Sequence, residues 1–244
     1  MTKRHDIHNS DIPVVCLACE ARHKGVCGAL NPDQLTRLNQ HTTKTTMPRG
    51  KQLQGVRDEA NSYSNILSGV VKLSKLMADG RQQIVGLQFA PDFMGRPYSS
   101  ESDVTIEAAT DVRLCSFPKS VLEAMLREAP EMEHKLHQQT LNELNEARDW
   151  LLTLGRKTAA EKVASFILLI ASHIDPEGEL DSEKREIAFP LTRSDIADFL
   201  GLTTETVSRQ LTNLRKRGII EVADRRRVII SSMAALNNAS ERAR

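Results

Sequence analysis

The chain has 244 residues, 40% of them hydrophobic, with 33 Lys and Arg against 32 Asp and Glu and a formal net charge of +1. That is enough for one or two ordinary cores, and so even a charge singles out no class of partner. The longest apolar run, Phe166 to Ala171, falls far short of the roughly 20 residues of a membrane span, and no apolar signal core opens the chain, so a cytoplasmic protein without a membrane partner is expected.

Residues 1–30 form the first region. They carry Cys16, Cys19 and Cys27 in a Cys-x2-Cys-x7-Cys spacing and little apolar periodicity, so something outside the segment must order it. In a reducing compartment these thiols read as metal ligands or redox groups in preference to stable disulfides. Gly25 and Gly28 beside Cys27 read as backbone freedom for wrapping a ligand set.

Residues 31–120 form the second region, strand-like from about Thr45 to Phe117. The run Asn65 to Leu73 leads to Ala78-Asp79-Gly80-Arg81, a hairpin turn signal, and resumes at Gln82 to Leu87. Short runs at Val104 to Ile106 and Val112 to Cys115, with glycines at 50, 55, 69, 86 and 95, predict a small antiparallel barrel or sandwich. Cys115 ends the last run. A lone cysteine is commonly a small buried hydrophobe, but as a fourth thiolate it completes a set that suits a [4Fe-4S] cluster. Four thiolates also suit zinc, for which His23 is a substitute ligand. Spacing alone leaves both open.

Residues 121–155 form the third region. The text from Ser120 to about Leu154 is helical, with Pro130 as a break or first-turn residue. Leu136, Thr140, Leu144, Ala147, Leu151 and Leu154 recur every three or four residues and share one face. That face either packs on the chain's own barrel or pairs in parallel with a second subunit. A helix of about 20 residues spans roughly 30 Å and outreaches a small barrel, which favours a homodimer, and the stripe from Thr140 to Leu154 carries no charge.

Residues 156–244 form the fourth region. Thr158 and Glu161 make a capping box for a helix carrying Val163, Phe166, Ile167 and Ile170, which Asp175-Pro176-Glu177-Gly178 ends. Thr192 caps a helix with Asp195 at its third position and Ile196, Ala197 and Leu200 on its buried face. Gly201 turns the chain, and a second helix opens near Thr203, buries Val207, Leu211 and Leu214 and ends at Arg217-Gly218. Two strands, Ile219 to Val222 and Arg227 to Ile230, then complete a winged helix-turn-helix. Glu205, Ser208 and Arg209 fall on the exposed side of the second helix, and each can read a base edge. Between Arg209 and Arg227 there are seven Lys or Arg against Glu221 and Asp224, a surplus of five that suits a phosphate-facing surface of double-stranded DNA.

The predicted architecture is thus α+β: an antiparallel barrel, a long dimerisation helix and a winged helix-turn-helix. The stretches Ile66 to Leu73, Asp79 to Gly86 and Leu191 to Arg209 together resemble the CRP/FNR family of bacterial transcription regulators over nearly the whole chain, and most closely its FNR branch. The resemblance implies an oxygen sensor. In such proteins a [4Fe-4S] cluster forms without oxygen, the protein dimerises on TTGAT-type half-sites, RNA polymerase is contacted, and oxygen destroys the cluster. Carried onto this chain, it implies Cys16, Cys19, Cys27 and Cys115 as cluster ligands and Glu205, Ser208 and Arg209 as base readers, with Thr203, Thr204 and Arg193 as further DNA contacts.

The chain departs from the family pattern in two places. The seven residues between Cys19 and Cys27 exceed the enterobacterial spacing and resemble the FnrN/FnrL type. The segment Phe93 to Ser100 lacks the Arg-Ser pair with which CRP-like relatives hold a cyclic-nucleotide phosphate, so cAMP is not expected as a ligand. The rival readings are a zinc-stabilised regulator that ignores oxygen and a thiol oxidoreductase. The chain opposes the second, because no βαβ pattern follows Cys16 and Cys19. No Ser/His/Asp or carboxylate constellation stands out, and no enzyme is expected.

Overall fold

The computed structural model describes residues 13–17, 19–58, 61–98, 101–174, 184–224 and 226–241. The expected break at residues 175–178, together with Ser99, Ser100 and Arg225, lies outside them. The chain divides into two units, residues 1–75 with 86–145, and residues 76–85 with 146–244.

In the first unit two four-stranded antiparallel sheets form the walls of a flattened barrel. One has the order β1 (Thr43–Met47), β8 (Val112–Pro118), β3 (Ser62–Ser68), β6 (Phe93–Met94), and the other β2 (Gln52–Gln54), β7 (Thr105–Ala108), β4 (Val70–Leu76), β5 (Gln82–Phe89). The run Asn65 to Leu73, read above as one stretch, belongs to two strands in different sheets. Gly69 makes the corner with φ +92, and a Cβ there would stand 2.3 Å from the Asp111 carbonyl oxygen, so only glycine fits. The Asp79-Gly80 turn forms as expected: Met77 N–H donates to the Arg81 carbonyl at 2.8 Å, and Asp79 Oδ1 accepts from Arg81 N–H at 3.0 Å.

Between the sheets lie Ile66, Val71, Val104, Ile106, Ala108, Val112 and Leu114. Strand alternation turns Tyr63, Asn65, Cys115 and Phe117 to the opposite side of β3 and β8. A second core covers that side: Val26 and Leu30 from the N-terminal segment, Leu35 and Leu38, and Leu122, Met125 and Leu126 from α4 (Lys119–Glu128). Tyr63, Ser64, Asn65 and Ile66 are consecutive and all buried because this sheet is covered on both faces.

The N-terminal segment is therefore ordered by docking. It consists of α1 (Val14–Leu17), α2 (Glu20–His23), a 3-10 turn (Val26–Ala29) and α3 (Pro32–Asn39). α3 was not anticipated, although its start was legible as a capping box: Gln34 N–H donates to Asn31 Oδ1 at 2.9 Å and Asn31 N–H to Gln34 Oε1 at 3.0 Å. Gly25 and Gly28 play a different part from the expected one. Neither has a positive φ, but a Cβ on Gly25 would lie 2.9 Å from the Ala21 oxygen and 3.0 Å from the Pro91 oxygen, and one on Gly28 2.6 Å from the Arg22 oxygen. They serve close approach.

Pro130 opens α5 (Pro130–Arg156) after the end of α4. The second unit holds the end of α5, α6 (Ala159–Ile174), α7 (Arg193–Leu200), α8 (Thr204–Lys216) and α9 (Met233–Ser240), with a sheet ordered β10 (Ile220–Val222), β11 (Arg227–Ile230), β9 (Arg185–Ala188). β9 and α9 were not anticipated. Phe199 meets Trp150 with ring centroids 4.5 Å apart and Phe166 at 6.0 Å, and Phe166 meets Phe189 at 5.6 Å. Val163, Ile167, Ile170, Ile196, Leu200, Val207, Leu211 and Leu214 are buried, as their helical periodicity predicted.

Candidate functional site

Cys16, Cys19, Cys27 and Cys115 all line one cavity between the N-terminal segment and the covered face of the first sheet. They come from three separate places: the α1–α2 stretch, the 3-10 turn and mid-strand β8. Cys115 does not end its strand as expected, since β8 runs on to Pro118, and this central position gives it two strand partners. In register it stands opposite Lys44 on β1 and Asn65 on β3, and directly paired residues share a face, so all three border the cavity, with Arg22 from α2.

All four thiols are free and half-buried. Burial pushes the Cys27 thiol up to about 12; the Asn65 amide N–H, which donates to Cys27 Sγ at 3.2 Å, works against this, while the other three cysteines add to it. Burial also raises Cys16 and Cys115, with Cys19 adding to the rise at Cys16 and Lys44 opposing it at both. Cys16, Cys27 and Cys115, raised in this way, stay protonated at neutral pH until a metal replaces the protons, so that metal uptake would release acid. Among the described residues no three Cys, His, Asp or Glu side chains converge closely enough to hold a single ion. His23, the alternative ligand for zinc, places Nε2 3.0 Å from the Leu17 carbonyl oxygen and is not among the residues lining the cavity. The donor set fits the cluster that the resemblance implies: four thiolate sulfurs, an N–H directed at one of them, and two cations for the negative charge of a thiolate-bound centre.

Sequence reasoning did not find Asn65, Lys44 or Arg22. Only strand register and the docking of the N-terminal segment bring them to the cysteines.

In the second unit the helix-turn-helix is built by local rules. Thr192 N–H donates to Asp195 Oδ2 at 3.0 Å and Asp195 N–H to Thr192 Oγ1 at 3.1 Å. Gly201 takes the left-handed conformation at φ +61, and Thr203 caps α8 by accepting from Thr206 N–H at 3.2 Å. Val207, Leu211 and Leu214 face inward, leaving Thr203, Thr204, Glu205, Ser208 and Arg209 exposed at an end whose N–H groups attract phosphate.

Arg193 departs from expectation. Its guanidinium lies over the Phe189 ring, 5.4 Å from the centroid, and its Nη1 is buried without an acceptor, so the side chain is half-buried and only part of it is open to a DNA contact. The wing also has fewer open cations than the count implied. Asp224 accepts from the N–H groups of Arg226 and Arg227 at 2.7 and 2.8 Å and from Arg227 Nε at 2.7 Å, which holds its carboxyl down to about 2. Arg227 reaches Glu186 as well, at 3.5 Å. Arg209, Arg215, Lys216 and Arg217 stay exposed.

The stripe on α5 divides. Leu136 packs against the second core of the barrel unit and Leu154 is half-buried, whereas Thr140 and Ala147 are exposed and Leu144 and Leu151 are 44% and 70% exposed, with Leu141 at 46% and Leu152 at 60% beside them. Packing on the chain's own barrel therefore accounts for Leu136, whereas Thr140, Leu144, Ala147 and Leu151 stay uncovered in the single chain.

Residues 161–239 match the Crp-like helix-turn-helix domain family, and residues 45–129 match the cyclic nucleotide-binding domain family. The chain is 50% identical over 233 residues to a probable transcriptional activator of Rhizobium leguminosarum bv. viciae, covering 96% of each chain. It is 36% identical over 231 residues to the transcriptional activator protein FnrL of Cereibacter sphaeroides, covering 93% of each. The solved structure of FixK2 from Bradyrhizobium japonicum superposes with a TM-score of 0.73 at 31% identity, over 83% of this chain and 99% of that one. An antiparallel barrel, a long helix and a capped helix-turn-helix define a DNA-binding transcription regulator. The chain belongs to the CRP/FNR family of such regulators. The relatives compared are regulators, not enzymes. Among the described residues no helix is long and apolar enough to cross a membrane.

Proposed function

We propose that this protein is an oxygen-responsive transcription activator that holds a [4Fe-4S] cluster on Cys16, Cys19, Cys27 and Cys115 in the absence of oxygen, dimerises through α5 and binds palindromic TTGAT-type DNA. The observation that carries it is the meeting of four thiols from three chain segments around one cavity. The activators among its relatives support the direction of control. Zinc is the rival occupant of the same four thiolates, and metal analysis separates the two.

A bound cluster supplies an oxygen-labile centre whose loss releases the four thiols. The rest is done by the chain. With its cysteines tied, the N-terminal segment is fixed across the sheet; with them free, it is held by the burial of Val26 and Leu30 and by the rest of its packing. Those two side chains share a core with Met132 and Leu136 at the base of α5, so the seating of the segment reaches the helix. A polar clasp joins the same helix to the barrel: Gln139 Oε1 accepts from Phe93 N–H and Gln139 Nε2 donates to the Phe93 carbonyl, both at 3.2 Å, while Glu143 Oε1 accepts from Gln139 Nε2 at 2.9 Å and Gln88 Nε2 at 3.3 Å. Seated this way, α5 offers Leu144 and Leu151 to a second copy, and the two α8 helices then fall about one DNA turn apart, roughly 34 Å. Cyclic AMP is not expected as a ligand, because Phe93 to Ser100 lacks the Arg-Ser pair that would hold its phosphate. RNA polymerase would be met by the barrel's exposed loops.

The direct test is iron, sulfide and visible absorption on protein purified without oxygen, repeated after air. About four irons per chain and a brown colour that bleaches together with DNA binding is the expected result. Colourless protein carrying zinc, binding DNA equally well in air, would replace this reading with that of a zinc-stabilised regulator. On the DNA side, Arg209→Ala is expected to cost about 1–3 kcal/mol at one base pair and relax specificity there, measured by competition among substituted half-sites. An equal loss on random DNA would make Arg209 a phosphate contact.

A further inference from the structure

Asn65 brings a buried side-chain amide to the cysteine cavity. It is 1% exposed, its strand neighbours on that face are Tyr63 and Leu67, and Phe117 stands across from Tyr63. A leucine would suit such surroundings better than an amide, whose burial is costly unless its polar atoms are used. One of them is used: Nδ2 donates to Cys27 Sγ at 3.2 Å. The other, Oδ1, is buried with no hydrogen-bond partner. The amide thus forgoes satisfaction of its oxygen in order to direct its N–H at a sulfur. A thiol can donate to a carbonyl as well as accept from an N–H, whereas a thiolate only accepts, so this orientation is the one a metal-bound Cys27 requires.

Asn65 also joins the two halves of the thiol set. It touches Cys27 of the N-terminal segment while standing in direct strand register with Cys115 of the barrel. We propose that Asn65 is a positioning residue for the bound centre: its N–H···S bond holds the Cys27 sulfur toward the cavity, raises the reduction potential of the centre by stabilising negative charge on that sulfur, and slows its loss in air. The physical basis is that hydrogen bonds to ligating sulfurs tune cluster potentials and that such supporting partners commonly change metal retention by about 10–100-fold. The inference rests on the reading of the four cysteines as cluster ligands.

The test uses the full-length protein, purified without oxygen, as wild type, Asn65→Leu and Asn65→Gln. The quantities are iron per chain, the midpoint potential from an anaerobic redox titration, the rate of bleaching in air and the thermal melting of the metal-free protein. The expected result is that Asn65→Leu melts like wild type but titrates at a more negative potential and bleaches ~10-fold faster, with partial recovery in Asn65→Gln, which keeps the donor. If leucine abolishes the melting transition, Asn65→Val, which suits a strand and removes the donor without adding charge, replaces it in the same comparison. Wild type that takes up iron normally beside a folded variant with unchanged potential and bleaching rate overturns the role of Asn65 alone. Wild type that takes up no iron overturns the cluster reading and this inference with it.

Discussion

Cys19→Ala protein purified without oxygen is expected to be nearly colourless and to have lost its anaerobic affinity for palindromic DNA, while melting like wild type. Cys19 is suited to this test because it is half-buried and outside both barrel cores. Its structural part is played by its backbone, whose carbonyl accepts from Arg22 N–H at 3.0 Å and His23 N–H at 3.3 Å, and alanine keeps both bonds. Cys27→Ala is a poorer choice, since Cys27 packs against the second core and its removal would mix a packing defect with a lost ligand. Altering a supporting partner of a metal site already costs about 10–100-fold in affinity, and loss of a ligand should cost at least as much. Iron analysis and anaerobic DNA-binding titration read the outcome. A brown Cys19→Ala protein with wild-type iron content would remove Cys19 from the ligand set.

Leu151→Glu is expected to yield a folded monomer that no longer distinguishes a palindrome from a single half-site. In the isolated chain Leu151 is 70% exposed, so a polar replacement there is nearly neutral, within about 0.5 kcal/mol. Across a two-fold axis each residue of a central seam faces its own copy, so one substitution places two carboxylates together in an apolar contact. A monomer also loses the gain from joined binding, which amounts to roughly 10²–10⁴ in affinity. Sedimentation equilibrium and fluorescence anisotropy on whole and half sites read the two effects separately. A stable Leu151→Glu dimer would move the interface off this face, and a monomer with full palindrome affinity would separate dimerisation from DNA binding.

The parts of the molecule that were legible in the sequence are those decided within a few residues. Thr192 with Asp195, Gly201, Thr203 and the inward-facing Val207, Leu211 and Leu214 specify the helix-turn-helix almost unaided, because capping, left-handed glycine and helical period act over one or two turns. Asp79-Gly80 specifies its hairpin in the same way. The four cysteines could be picked out by residue type and by resemblance, but their spacing put iron–sulfur only slightly ahead of zinc. The α5 stripe showed that a face needed covering without showing where its own-chain packing at Leu136 stops and the exposed stretch at Leu144 begins.

The remaining features depend on which distant segments meet. Apolar alternation runs through Gly69 without a break, and only the 2.3 Å approach that a Cβ would make to the Asp111 oxygen requires the corner that divides β3 from β4 between two sheets. β9 shows no strand signal as strong as that of β10 or β11, and it is completed by pairing with β11. Arg193 sits in a motif that suggests DNA contact, and only the fold shows that its guanidinium also lies over the Phe189 ring. Asn65 reads as an ordinary strand residue until register sets it opposite Cys115 and docking brings Cys27 to its amide. By itself the sequence determined the helix-turn-helix, the barrel and helix as classes of element, and the thiols available to a metal. The tertiary structure alone decided which groups face those thiols, because cross-strand register and segment docking are long-range choices that no local pattern of residues encodes.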